Sequence, residues 1–216
     1  MYKSYINMIK YMYNLYGGES MSFDQEFDEL VKKNNGLIRY CELTNIGYNQ
    51  RQIKKLEIEM VIERVEKGIY CHKDYDPDML KVHQLNNNNI IYSHETAAFL
   101  HDLTDRFPRE FTVTTESGYH LRKRKELNIH YIKKDLFTLG AVEIKDMSGN
   151  IVRAFDKERT ICDFIKNRDQ IEMQVYVEVL QNYFNGKVKL NKLSNYARKL
   201  GVNDKVEQVV TLMMKP

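Results

Sequence analysis

The most constraining feature of this chain is a change of hydrophobic period inside its first eighty residues. Phe23, Phe27, Leu30 and Val31 fall on one stripe of an amphipathic helix, which Asn34-Asn35-Gly36 ends. A second short helix is expected from about Arg39, carrying Cys41 and Leu43 and closing at Asn45-Ile46-Gly47. A third runs from about Asn49 to Ile58. The period then drops to that of a strand. Val61–Val65 and Ile69–Cys71 are β-rich runs on either side of Glu66-Lys67-Gly68, the signature of a hairpin. Three short helices followed by a hairpin is the layout of a winged helix-turn-helix. This predicts a first domain over residues 23–73.

Asp74-Tyr75-Asp76-Pro77-Asp78 breaks the hairpin, with Pro77 placed to start a helix. Asn86–Asn89 reads as a solvated polar loop. From Ile90 the pattern is mixed. Ser93 is a candidate N-cap for a helix reaching Leu103. Strands are expected at Phe111–Thr115, Asn128–Ile132, Ala141–Ile144 and Ile151–Ala154, the last two joined at Met147–Asn150. Helices then follow at about Lys157–Lys166, Ile171–Phe184, Leu190–Leu200 and Lys205–Met213. The expected fold class is α+β, a winged helix-turn-helix followed by a mixed α/β domain over residues 74–216 with a small sheet and C-terminal helices. Residues 1–22, rich in tyrosine and interrupted by Asn7, Lys10 and Asn14, are read as an appendage and not a secretory signal; Met21 is a second candidate start.

Composition narrows the function classes. Of 216 residues, 43% are hydrophobic, enough for a real core, yet no apolar run approaches the ~18 residues of a membrane helix. Cys41, Cys71 and Cys162 are scattered and odd in number, which fits a reducing cytosol better than a disulfide framework. A cytoplasmic protein with no membrane partner is expected. Net charge is only +3, but it is unevenly spread. Residues 23–72 hold eight basic and nine acidic side chains; residues 117–134 hold six against one, and residues 185–199 five against none. Positive charge therefore gathers in the second half.

The third helix carries the candidate chemistry. Ile53 and Leu56 share one face, so at ~100° per residue the opposite face carries Tyr48, Arg51, Lys54 and Lys55. Such a helix can enter a major groove, Arg51 reading guanine edges while Lys54 and Lys55 neutralise phosphates. Asn49, Gln50 and Gln52 lie at the helix start, where amides can bond bases or phosphates. Arg64 and Lys67 flank the hairpin turn and are placed to touch the backbone or minor groove. In the second domain, Arg122, Lys123, Arg124 and Lys125, with Lys189 and Lys192, form the basic clusters expected to share the DNA. The plainer reading of three basic residues on one helix face is a solvated surface, and some winged helices contact proteins instead.

Other constellations carry less. His94 and His101 are seven residues apart, about 10 Å along a helix at ~1.5 Å per residue, too far for one ion at ~2 Å per ligand. Caps and core contacts suit them better, and no metal or cofactor is expected. Arg159 and Asp163, four apart, read as a surface ion pair or a structural contact. There is no phosphate-binding glycine loop and no cysteine with a readable base partner, so an enzyme is not expected.

Gly36-Leu37-Ile38-Arg39, Gly47-Tyr48-Asn49 and Val65-Glu66-Lys67-Gly68-Ile69-Tyr70 occur in the order found in the N-terminal domain of AbiEi-type antitoxins. Ser93–Leu103 followed by Phe111–Thr115, and Glu158-Arg159-Thr160-Ile161-Cys162-Asp163, match that family's second domain. The chain therefore resembles an AbiEi-family antitoxin from about residue 23 to its C-terminal helices. The resemblance implies an abortive-infection (type IV) antitoxin. Its winged helix binds inverted repeats in double-stranded promoter DNA, two copies per site, and represses its own operon. Its second domain assists DNA binding and counteracts a nucleotidyltransferase-like toxin without a stable complex. The alternative is an interaction module that neutralises the toxin or its target by direct contact.

Overall fold

A computed structural model describes residues 23–121 and 124–214 of the chain. Residues 1–22, read above as an appendage, lie outside the described residues, as do Arg122 and Lys123. The chain divides into two compact units, one ending at Asp78 and one starting at Met79.

In the first unit, helix α1 (Phe23–Lys33) places Asp24 and Glu26 in its first turn and Lys32 and Lys33 in its last, complementing the helix dipole at both ends. It buries Phe27 and Val31. Its end is enforced locally. Asn35 and Gly36 take left-handed φ of 48° and 82°, and their amides bond back to Lys32 at 3.3 Å and Val31 at 2.8 Å, a Schellman closure. Gly36 has a second reason to be glycine: a Cβ there would lie 2.4 Å from Cβ and Cγ of Tyr75.

Strand β1 (Leu37–Arg39), helix α2 (Tyr40–Asn45), helix α3 (Gln50–Ile58), strand β2 (Ile62–Glu66) and strand β3 (Ile69–His72) complete the unit. The sheet runs β1-β3-β2, antiparallel throughout, with Ile38 opposite Tyr70, Arg64 opposite Tyr70 on the other side, and a register shift between Arg64 and Glu66. Strand β1 is absent from the sequence reading, because three residues carry no measurable period. One core joins helices and sheet through Phe27, Val31, Ile38, Leu43, Ile53, Ile62 and Tyr70.

The second unit is built on a five-stranded mixed sheet in the order β6-β5-β4-β8-β7. Its strands are β4 (Ile91–Tyr92), β5 (Phe111–Glu116), β6 (Leu127–Ile132), β7 (Ala141–Lys145) and β8 (Ile151–Phe155). Its helices are α4 (Met79–Leu85), α5 (His94–Leu100), α6 (Lys134–Phe137), α7 (Lys157–Lys166), α8 (Met173–Asn185), α9 (Leu190–Leu200) and α10 (Asn203–Met213). Central β4 has only two residues and escapes a periodicity reading, although it bridges β5 antiparallel and β8 parallel. Pro77 does not open α4; the helix begins two residues later.

The Asn86–Asn89 loop is the solvated turn expected, with Asn86, Asn88 and Asn89 exposed, but it is also tied to the sheet. Asn87 Oδ1 accepts the Tyr119 hydroxyl at 2.9 Å, the Asn89 carbonyl accepts Thr115 Oγ1 at 2.7 Å, and the Asn88 carbonyl accepts Arg153. Beside it Gln84 behaves like a missing strand. Its side-chain amide donates to the Arg153 carbonyl and accepts the Arg153 amide, both at 2.7 Å.

Helix α7 is the axis of the helical half. Every residue from Glu158 to Ile165 is buried, and Ile161, Cys162, Phe164 and Ile165 join Val179, Tyr183, Leu193 and Ala197 in the largest core. A helix buried all round is normally apolar. This one carries three charges into the interior, and each must be satisfied there.

Candidate nucleic-acid interface

Helix α3 is set by its own first turn. Asn49 Oδ1 accepts the Gln52 amide at 3.0 Å while Gln52 Oε1 accepts the Asn49 amide at 2.9 Å, a reciprocal capping box. The side-chain oxygens of both residues are thus spent on the helix end, and only their amide nitrogens remain for an outside partner. Ile53 is buried and Leu56 half-buried against the core, whereas Gln50, Arg51, Gln52, Lys54 and Lys55 are exposed. The separation of faces expected from the sequence is present, with one correction. Tyr48 does not belong to the exposed face. It is half-buried with its ring 5.8 Å from that of Phe27, and burial, reinforced by Asp24 and Asp28, pushes its phenol pKa up.

The basic side chains on this face have intrahelical partners. Lys54 Nζ lies 3.1 Å from Glu57 Oε2 and Lys55 Nζ 3.5 Å from Glu59 Oε1. Both lysines are about two-thirds or more exposed, so each pair contributes little, of order 0–1 kcal/mol, and is readily exchanged for a phosphate. Arg51 makes no ion pair with a described acid.

The hairpin turn stands at the edge of the same unit. The Tyr40 amide donates to the Gly68 carbonyl at 2.8 Å, tying the start of α2 to the turn, a contact without a sequence signal. Arg64 is exposed, with Nε 3.4 Å from the Glu66 carbonyl; Lys67 is exposed. Arg39, also missed in the sequence reading, is held by Glu42 through its guanidinium at 3.0 Å and its amide at 2.8 Å. Electrostatics cut the other way. From Phe23 to Asp78 the unit carries nine basic against twelve acidic residues.

In the second unit the expected basic clusters divide. Lys125 and Lys189 are exposed, and Arg124 is half-buried. Lys192 is not a free surface cation: its Nζ lies 2.8 Å from Asp156 Oδ2 and 3.2 Å from Glu158 Oε2. Although burial works against it, those two carboxylates hold its pKa above the ordinary lysine value. It is engaged inside the fold, which removes it from the simple picture of a phosphate contact.

That ion cluster continues into α7. Asp156 caps the helix by accepting the Arg159 amide at 2.9 Å and takes the Tyr196 hydroxyl at 3.1 Å. Arg159, 1% exposed, reaches both oxygens of Asp163 at 3.1 Å, donates to the carbonyls of Leu136 at 3.2 Å and Leu139 at 2.8 Å, and stacks 4.0 Å over Phe155. Of the two readings of this pair, a surface ion pair or a structural contact fixing the second domain, its full burial matches the structural one. Burial raises the Asp163 carboxyl pKa against the pull of the guanidinium. Gly140 makes room for it, since a Cβ there would stand 2.7 Å from Arg159 Cβ.

His94 and His101 serve different partners. His101 Nε2 donates to the Phe155 carbonyl at 2.7 Å. His94 is buried at φ 48°, its ring stacked 4.0 Å from His130, with Nδ1 3.0 Å from Ser93 Oγ and Nε2 2.7 Å from Asn167 Nδ2. Asn167 Nδ2 also donates to the Asp163 carbonyl, which makes it the amide nitrogen. His94 Nε2 is therefore an acceptor and Nδ1 carries the proton. Burial, and then His130, push the His94 pKa well below the ordinary value. Ser93 does not cap α5 with its side chain as expected; its hydroxyl takes Thr114 Oγ1 at 2.9 Å instead. Among the described residues no group of three or more His, Cys, Asp or Glu is placed to hold a metal ion, and no helix is long and apolar enough to cross a membrane.

No protein-family model and no curated protein matches the sequence. Among solved structures, the chain is similar to the RV2827C protein from Mycobacterium tuberculosis. The TM-score is 0.65 at 11% identity, over 91% of this chain and 78% of that one. Similarity at that identity concerns the fold alone. The fold is mixed α and β, with ten α-helices and two small sheets among the described residues.

Proposed function

We propose that this chain is a DNA-binding protein whose first unit acts as a winged helix-turn-helix, with α3 as the recognition helix and the β2–β3 hairpin as the wing. The observation that carries the reading is the division of α3. It buries Ile53 against the unit's core and leaves Gln50, Arg51, Gln52, Lys54 and Lys55 in solvent. The reciprocal cap at Asn49 gives the helix a defined N-terminal end, the end that meets base edges in this class of motif. Arg51 then reads bases, and Lys54 and Lys55 exchange Glu57 and Glu59 for phosphates.

The wider role rests on the ordered sequence resemblance to AbiEi-type antitoxins. On that reading the protein binds inverted repeats in its own promoter, represses the operon and counteracts a nucleotidyltransferase-like toxin without a stable complex. The net acidic balance of the first unit supports a division of labour, in which exposed cations of the second unit, such as Lys125 and Lys189, supply part of the attraction for DNA.

The test is a gel shift on the DNA upstream of the coding sequence, at two salt concentrations, for the native protein and Arg51→Ala/Lys54→Ala/Lys55→Ala. Loss of three contacts is expected to weaken binding by at least about a hundredfold, at ~1–3 kcal/mol for the base contact and less for each phosphate. Unchanged affinity of the folded triple variant overturns the assignment of α3. Co-purification of a toxin with the intact chain instead favours the interaction-module reading.

A further inference from the structure

The C-terminal helices of the second unit border a half-open cavity of about 500 Å³ that the DNA-binding proposal does not use. It lies among the end of α7, the short 3₁₀ turn Arg168–Gln170, α8 and α10. Its floor is apolar, made by Ile165, Tyr176, Leu180 and Val209. At its mouth Leu212 is 71% and Val177 41% exposed, large apolar side chains that a solvated helix face does not require.

The rim is charged with one dominant sign. Lys166, Arg168 and Lys205 border the cavity against a single acid, Asp169. The Arg168 guanidinium sits 5.2 Å over the Tyr176 ring and donates to Met173 Sδ at 3.4 Å, which holds it beside the cavity floor. A volume of this size is within the ~300–1,000 Å³ of small-molecule sites, and an apolar floor with a few charged groups is their usual chemistry.

We infer that this cavity binds a small amphipathic anion, its acyl body against Ile165, Leu180 and Val209 and its carboxylate or phosphate among Lys166, Arg168 and Lys205. The apolar floor selects the body and the excess of cations selects the head. A neutral molecule of the same body gains nothing from the three cations, and a cation is repelled by them.

Isothermal titration of the full chain with decanoate, decanol and AMP tests this. Decanoate is expected to bind at least about tenfold tighter than decanol, a difference of ~1.4 kcal/mol. Arg168→Glu/Lys205→Glu, both on exposed positions, is expected to remove that preference while leaving decanol unaffected. Val209→Trp, which fills the floor, is expected to abolish binding of both; should it fail to fold, the charge-reversal variant decides alone. No binding of decanoate overturns the site, as does decanoate binding indifferent to charge reversal. Preference for AMP over decanoate overturns the acyl assignment. Concentration-dependent self-association that Val209→Trp abolishes also overturns it, because a second copy then fills the groove. The DNA gel shift is independent of every one of these outcomes.

Discussion

Arg159 and His94 show how much a single buried polar side chain demands of its surroundings. Arg159 is satisfied by both Asp163 oxygens, two carbonyls and an aromatic face. Removing one partner leaves the other as an interior charge. Asp163→Ala is expected to cost about 3–5 kcal/mol in denaturant unfolding, and Arg159→Met/Asp163→Leu to recover most of it. A loss under 1 kcal/mol for Asp163→Ala would show that solvent reaches the pair.

His94 gives the chain a pH dependence of definite sign. Its folded pKa, and that of His130, lie below the unfolded value near 6.5, mainly through burial; Arg159 and Lys166 act in the same direction on His94, and Glu95 opposes it on His130. Below that pH the unfolded chain takes up protons that the native one refuses, so stability is complete above about 6.5 and falls as pH drops. The melting temperature is expected to be lower at pH 5 than at pH 7.5, and His94→Gln to shrink the difference. An identical pH profile for the variant would refute the role of His94.

At the scale of elements, α3 depends on its cap. Asn49→Ala is expected to lower stability by ~1 kcal/mol through loss of the bond to the Gln52 amide. Asn49→Asp keeps that acceptor and favours the helix dipole, yet places a negative charge where the proposed DNA phosphates run. The expected result is native stability with DNA affinity reduced at least about tenfold, since like charge across an interface costs several kcal/mol. If both variants bind DNA as the native protein does, the N-terminal end of α3 faces away from the nucleic acid.

The elements themselves were largely legible. The helical stripe from Phe27 to Val31 and the β-rich runs Ile69–Cys71 and Phe111–Thr115 mark buried segments directly. Strands β1 and β4 were not, because two or three residues cannot show a period. Ser93 is the N-cap of α5 and the Asn86–Asn89 turn is solvated, as the pattern indicates, but their tertiary partners were not legible. Their side chains or carbonyls are claimed by Thr114, Tyr119, Thr115 and Arg153 from distant parts of the chain.

For the molecule as a whole, charge is the quantity that separates the two units. Counted over residues 23–78 the balance is nine basic to twelve acidic; over residues 79–216 it is twenty-two to seventeen. A protein binding DNA through α3 alone therefore works against its own field. Lys125→Ala/Lys189→Ala is expected to flatten the slope of log affinity against log salt by up to ~2 units, at about 0.9 per phosphate contact. Lys192→Ala, which takes a cation from Asp156 and Glu158, is expected to leave that slope unchanged and to lower the melting temperature instead. A flattened slope for Lys192→Ala, with no loss of stability, would return it to the DNA-facing set.

Local pattern alone determined most of the longer helices and strands, the division of α3 into an apolar and a basic face, and the uneven spread of charge. Each follows from neighbours three, four or two residues apart. Tertiary structure decided which charged groups are available. Arg159 and Asp163 sit at the spacing of a surface pair, but α7 is packed on all sides and Arg159 takes further partners from α6 and β8, while Lys192 of α9 is paired with Asp156 and Glu158 at the start of α7. Burial of a charge depends on what the rest of the chain brings to it, and spacing along one helix carries no record of that.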